Sequence, residues 1–147
     1  MALALLTITN SIAAISVTNV TILDADQIPL EPDSRASYLF PKPNGFLTGF
    51  SLTRNSQGQR TALMTVEYDL HYTFCGFRIG KGRMLEIYAE MVTRVMAIID
   101  AALALDGLTG AVEFDPQDIP DFGVINDPAG NAWHGCEITF HIMEFVN

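Results

Sequence analysis

Eleven residues constrain the fold of this 147-residue chain more than any others. Met64, Val66, Tyr68, Leu70, Tyr72 and Phe74 alternate with Thr65, Glu67, Asp69, His71 and Thr73. Successive side chains of a strand point to opposite faces, so the pattern predicts a long strand with one buried face and one wet face. The chain must therefore build a sheet and supply something apolar to cover one side of it. A second long strand is expected over residues 133–146. There Cys136, Ile138, Phe140 and Ile142 share one face, and Glu137, Thr139 and His141 share the other. At its end Met143 and Phe145 join the polar face and Glu144 the apolar one. Either the strand bends there, or its tip is covered by another chain.

The cover is expected from helices. Residues 84–105 carry an apolar stripe of Met84, Tyr88, Met91, Val95, Ile98, Ala102 and Leu105, widened by Leu85, Val92, Ile99 and Leu103. Glu86, Glu90, Arg94 and Asp100 take the opposite side, with Glu90 and Arg94 spaced as an i,i+4 pair. Gly107 is placed to end this helix in a left-handed cap. A short amphipathic helix is expected over residues 3–15, followed by a strand over residues 17–23. Residues 24–43 hold Pro29, Pro32, Pro41 and Pro43 and read as an extended arm, because proline fixes φ and removes a ladder donor. Residues 46–53 open a hairpin with a polar tip at 54–60. Gly76, Gly80 and Gly82 end the long strand. A short strand at 110–114 and an acidic, turn-rich segment at 115–131, with a brief strand at 122–125, lead to the last strand. The fold class is α/β (α+β). A mostly antiparallel or mixed single sheet carries one long and one short helix on one face, with an extended hairpin and a Pro-rich arm, in a single domain spanning residues 1–147.

Composition adds a constraint on surfaces. The chain is 49% hydrophobic and 17% charged, against roughly a quarter charged in an ordinary globular domain. The surplus reads as a generous core or as a subunit interface. No apolar run approaches the roughly 18 residues a membrane span requires. The apolar start lacks the basic residues and cleavage site of a secretory signal. The formal net charge is −9. Residues 1–83 carry seven basic and six acidic side chains, and residues 84–147 carry Arg94 alone against eleven acidic ones. That balance excludes a clamp on a phosphate backbone, which depends on Lys and Arg displacing counterions. It permits a passage through which nucleic acid slides. The two cysteines, Cys75 and Cys136, are too few for a disulfide framework and are expected reduced in the core.

The sequence carries no motif with the spacing of a known catalytic or ligand site. The run from Gly76 to Gly82 lacks the spacing and the Gly-Lys-Ser/Thr ending of a phosphate loop, and is not a dinucleotide fingerprint. His71, His134, His141, Cys75 and Cys136 show no close metal-ligand spacing. If the two long strands were neighbours, His71 and His141 would meet Glu67, Asp69 or Glu137 on one surface. No nucleophile elbow occurs. Asp115, Asp118, Asp121 and Asp127 lie in a like-charged loop with little apolar wall to raise a pKa. No catalytic residue, cofactor or metal is expected. The local basic cluster of Arg78, Lys81 and Arg83 reads as a solvated turn or as a contact with an acidic neighbouring subunit.

An N-terminal helix leads to Val17-Thr18-Asn19-Val20-Thr21-Ile22, and then to a Pro-rich arm through Asp26-Gln27-Ile28-Pro29. A long-tipped hairpin, one long helix and a final strand ending within the last residues complete the layout. In that order the chain resembles the small tail-terminator and tail-completion (neck) proteins of long-tailed bacteriophages. The resemblance covers most of the chain and is one of layout, size and texture. It implies a homo-oligomeric ring, usually of six subunits, in the virion tail or neck, made in the host cytoplasm. Such a ring caps the tail tube and joins it to the head-tail connector or adaptor protein, with DNA passing through without specific binding and no membrane involved. Candidate subunit and tube contacts are then Arg54, Asn55, Gln57, Arg60, Arg78, Lys81, Arg83, Met143 and Phe145. Asp115, Asp118, Asp121 and Asp127 are candidates for an acidic lumen. The alternatives are a head-closure or adaptor role in the same connector, a non-viral oligomeric binding protein, and an enzyme with a carboxylate or histidine site at a subunit interface.

Overall fold

A computed structural model of the chain describes residues 5–24, 36–54, 64–80, 83–103 and 121–146. The expectations for Asn55, Gln57, Arg60, Lys81, Asp115 and Asp118, for most of the Pro-rich arm, for the strand at 110–114 and for the Gly107 cap lie outside those residues, as does the side chain of Phe145.

The alternating segment forms β4 (Met64–Arg78), the centre of a six-stranded mixed sheet. Val66, Tyr68, Leu70, Tyr72 and Phe74 are all buried, as the alternation requires. Each such side chain contributes roughly 1.5–3 kcal/mol relative to remaining in water. β4 pairs antiparallel along its whole length with β6 (Ala132–Val146), from Met64 opposite Val146 to Arg78 opposite Trp133. On its other side β4 meets two strands in turn. The first is β3 (Leu47–Arg54), against residues 64–70, and the second is β2 (Ser37–Pro41), against residues 72–75. The three-residue strand β1 (Val20–Ile22) runs parallel to β2, and β5 (Gly123–Asn126) closes the far side against the start of β6. The order is β1-β2-β4-β6-β5, with β3 beside β4.

Two helices cover one face. From α1 (Leu5–Ala13), Ile8 and Ile12 enter the main core, and α2 (Met84–Leu103) contributes Ile87, Met91, Val95, Ile98, Ile99 and Ala102. The fold is therefore α+β, a single mixed sheet with one short and one long helix on one face. The buried stripe of α2 is narrower than the apolar pattern. Met84, Leu85, Val92 and Met96 remain exposed.

Four expectations are corrected. The arm over residues 24–43 is not extended connection throughout, because Ser37–Pro41 is a strand between β1 and β4 with Ser37, Tyr38, Leu39 and Phe40 all buried. Pro41 stands at its last position, where a missing donor interrupts little. Gly76 does not end β4, which continues through a bulge between Cys75 and Phe77. A Cβ at Gly76 would run into the Met91 side chain, so the missing side chain lets α2 lie close on the bulge. The sheet is also not wet along its whole second face. There Tyr38, Phe40, Cys75 and Trp133 form a smaller core with Leu23, Ala36 and Ile125. Finally, Arg94 is not on the solvent side of α2 but is buried, 7% exposed.

Candidate functional site

β4 and β6 are neighbours, so the residues of their polar faces meet in rows. Asp69 stands opposite His141, His71 opposite Thr139, and Thr73 opposite Glu137. His141 Nδ1 lies 2.7 Å from Asp69 Oδ1. His71 Nδ1 lies 3.0 Å from both Glu137 Oε1 and Thr139 Oγ1, and its Nε2 lies 2.5 Å from Thr48 Oγ1 on β3. Lys42 Nζ reaches Glu137 Oε2 at 3.2 Å. The result is a continuous ladder of acids, imidazoles and hydroxyls across three strands, half-buried to exposed. It has the connectivity of a hydroxyl–imidazole–carboxylate relay. Neither Thr48 nor His71 lines the cleft of about 340 Å³ that opens beside Lys42, Thr73, Asp127 and Glu137. Among the described residues no group of three or more His, Cys, Asp and Glu is arranged to hold a metal ion.

The acidic and basic candidates are scattered. Asp121 is exposed. Asp127 is 6% exposed and belongs to the turn between β5 and β6. Its Oδ2 accepts from Trp133 Nε1 at 2.9 Å and Asn131 Nδ2 at 3.2 Å, and its Oδ1 accepts from the Asn131 backbone at 2.9 Å. Burial alone would raise its pKa. The hydrogen bonds from Trp133, Asn131 and the Ala129 backbone outweigh that and hold it below the usual carboxylate range. The expectation of a solvated lumen carboxylate is therefore corrected for Asp127: it holds a turn. The run Asp-Pro-Ala-Gly-Asn over residues 127–131 carries that signal, with Pro after the Asp and Gly130 at φ +88°.

Arg78 and Arg83 do not act as one patch. Arg78 lies over the Trp133 ring, 5.6 Å from its centroid, and its Nη2 donates to Asn131 Oδ1 at 3.4 Å. Arg83 pairs with Glu86 at 3.1 Å in the open, an arrangement worth well under about 1 kcal/mol. Arg54, at the end of β3, is exposed. Met143 is half-buried on the polar face opposite Glu67.

Two buried polar contacts went unread in the sequence, Arg94 with Ser37 and Glu144 with Tyr68, whereas the i,i+4 pair of Glu90 and Arg94 and the reduced, buried cysteines are as expected. Arg94 Nε donates to Glu90 at 3.1 Å and Nη1 to Ser37 Oγ at 2.7 Å, and the guanidinium lies 4.7 Å from the Phe77 ring centroid. Ser37 Oγ in turn donates to the Gly76 carbonyl at 3.0 Å, so one buried network ties α2, β2 and the β4 bulge. Glu144 is buried and accepts from Tyr68 Oη at 2.5 Å. β6 keeps register with β4 there, so the inverted pattern marks a polar core contact and not a bend. The Tyr68 hydroxyl is held far above its ordinary pKa by burial and by the Glu144 carboxylate. Cys75 and Cys136 are free and buried in different clusters, and burial pushes both thiols up to about 12.

No helix among the described residues is long and apolar enough to cross a membrane. No family model matches the chain, and no curated protein matches it.

Proposed function

We propose that the chain is a structural protein of a phage virion, a tail terminator whose copies form a ring that caps the tail tube and joins it to the head-tail connector. The observation that carries this reading is the two-sided character of the long half of the sheet. One face is closed by α1 and α2, while the other is a continuous polar ladder from Glu67 through Asp69, His71 and Glu137 to His141. A wall of that kind, covered by helices on one side and hydrated on the other, suits a passage. Glu67, Asp69 and Glu137 give it acidic charge, and Lys42 beside it is paired with Glu137. Such a surface does not retain a phosphate backbone. The candidate lining thus differs from the loop aspartates: it is made of carboxylates on β4 and β6.

The test is electron microscopy of tails carrying a gold-binding tag on this chain. Label confined to the head-proximal end of the tube is the expected result. Label along the tube, or none on tails, sinks the reading.

A further inference from the structure

The sheet face opposite α1 and α2 is dry at one end and wet at the other. Tyr38, Phe40, Cys75 and Trp133 pack the dry end, and the ladder of carboxylates and imidazoles occupies the wet end. The two meet at one row, where Phe40 of β2, Thr73 of β4 and Glu137 of β6 stand side by side. These three residues line the cleft of about 340 Å³. That size is at the lower end of the roughly 300–1,000 Å³ of small-molecule sites, room for a molecule of one or two rings.

The cleft is two-ended in the same way as the face. Phe40, Ile125, Pro43 and Pro128 give it an apolar lining. Pro43 belongs to the connection between β2 and β3, and Pro128 to the turn between β5 and β6, so the two rings come from opposite sides of the β4–β6 pair. Neither ring has side-chain freedom to lose on binding.

The polar end is a matched pair. Lys42 Nζ lies 3.2 Å from Glu137 Oε2. Glu137 Oε1 is held by His71 Nδ1 at 3.0 Å, which fixes the orientation of the carboxylate. An ammonium has three donors and a carboxylate about four acceptor sites, so both groups can take a further bond. Together they present a donor beside an acceptor, and their charges offset. Ions of either sign gain little there, because an anion meets Glu137 and a cation meets Lys42. A neutral group with an acceptor beside a donor satisfies both at once. A carboxamide or lactam has that edge: its carbonyl accepts from Lys42 Nζ, and its N–H donates to Glu137 Oε2.

We infer that the cleft binds a small aromatic amide or lactam, with the ring against Phe40, Ile125 and the two prolines and the amide edge on Lys42 and Glu137. The site belongs to a single copy and stands or falls apart from the ring. A one-ring probe should bind weakly, with Kd on the order of 1 mM. Asp127 supplies a readout, since it lines the cleft and accepts from Trp133 Nε1 at 2.9 Å.

The experiment titrates the ¹⁵N-labelled full chain with benzamide, benzoate and benzylamine, which share a ring and differ in the head, and follows amide NMR shifts and Trp133 fluorescence. Benzamide is expected to shift the amides of Lys42, Asn44, Thr73, Asn126 and Glu137, and to bind about five-fold or more tighter than either ion. Lys42→Met keeps most of the stem and removes the ammonium, and should weaken benzamide about ten-fold. Arg83→Ala, at an exposed pair away from the cleft, should bind as wild type does. Three results on the wild type overturn the assignment: no shift at those residues in about 10 mM benzamide, equal binding of the three probes, or an ion bound tightest. A folded Lys42→Met with wild-type affinity for benzamide overturns it as well.

Discussion

Replacing Asp127 by Asn tests whether the turn between β5 and β6 is held as described. Four donors converge on the carboxylate: Trp133 Nε1 and Asn131 Nδ2 on Oδ2, the Asn131 backbone on Oδ1, and the Ala129 backbone. An amide offers one acceptor oxygen. In either orientation its NH2 group faces a donor, and if the oxygen keeps the backbone bond, the buried indole N–H loses its partner. A hydrogen bond to a charged group contributes about 1.5–3 kcal/mol, and an unsatisfied buried donor costs a similar amount. Asp127→Asn should therefore lower stability by about 2–3 kcal/mol, or about 5–12 °C in Tm for a chain of this size. Trp133 is the only tryptophan, so its fluorescence reads the site directly during urea or thermal unfolding. The pKa of Asp127 is depressed in the folded state. Its stabilisation is thus complete above the ordinary Asp value of about 4 and is lost as pH falls through the lower folded value. The wild type should lose this increment on acidification while Asp127→Asn does not. Asp121→Asn, at an exposed carboxylate, should stay within about 0.5 kcal/mol of wild type. If the two variants match each other, or if Asp127→Asn and Trp133→Phe add without coupling, the account of the turn is wrong.

Arg94→Ala removes the bonds to Glu90 and Ser37 and the contact with Phe77, and should cost about 3 kcal/mol by urea titration, whereas Arg83→Ala should fall within about 0.5 kcal/mol. Gly135→Ala should cost about 3 kcal/mol or prevent folding, because its Cβ meets the Phe74 carbonyl and Ile125 Cδ1 at the β4–β6 contact; a soluble variant with wild-type Tm would contradict this. Neither thiol should react with a disulfide reagent in the native protein at pH 8, and both should react after denaturation, since burial pushes each up to about 12.

The parts of the fold legible in the sequence are those with one dry face. β4 and β6 each bury one face and wet the other over most of their length, so period two shows through, and α2 shows its 3.6 period. β2 was illegible for the opposite reason. Ser37, Tyr38, Leu39 and Phe40 are buried on both faces and sit among prolines, so no alternation survives. For the polar face, sequence gave the conditional and register supplied the condition: His71 and His141 meet acids because β4 and β6 are neighbours. Arg94 and Glu144 were hidden because a charged residue reads as surface unless its partner is visible. Ser37 lies 57 positions from Arg94, and Tyr68 lies 76 from Glu144. Asp127 was masked by three other acids in its segment, although the turn sequence after it was readable.

The central claim is that copies of this chain close into a ring. Native mass spectrometry with imaging of the same sample measures that most directly. At 16.1 kDa per chain, six copies predict a discrete species of about 97 kDa with a central opening and no larger series. A single 16.1 kDa species at every concentration, or an open-ended ladder of oligomers, would contradict the account.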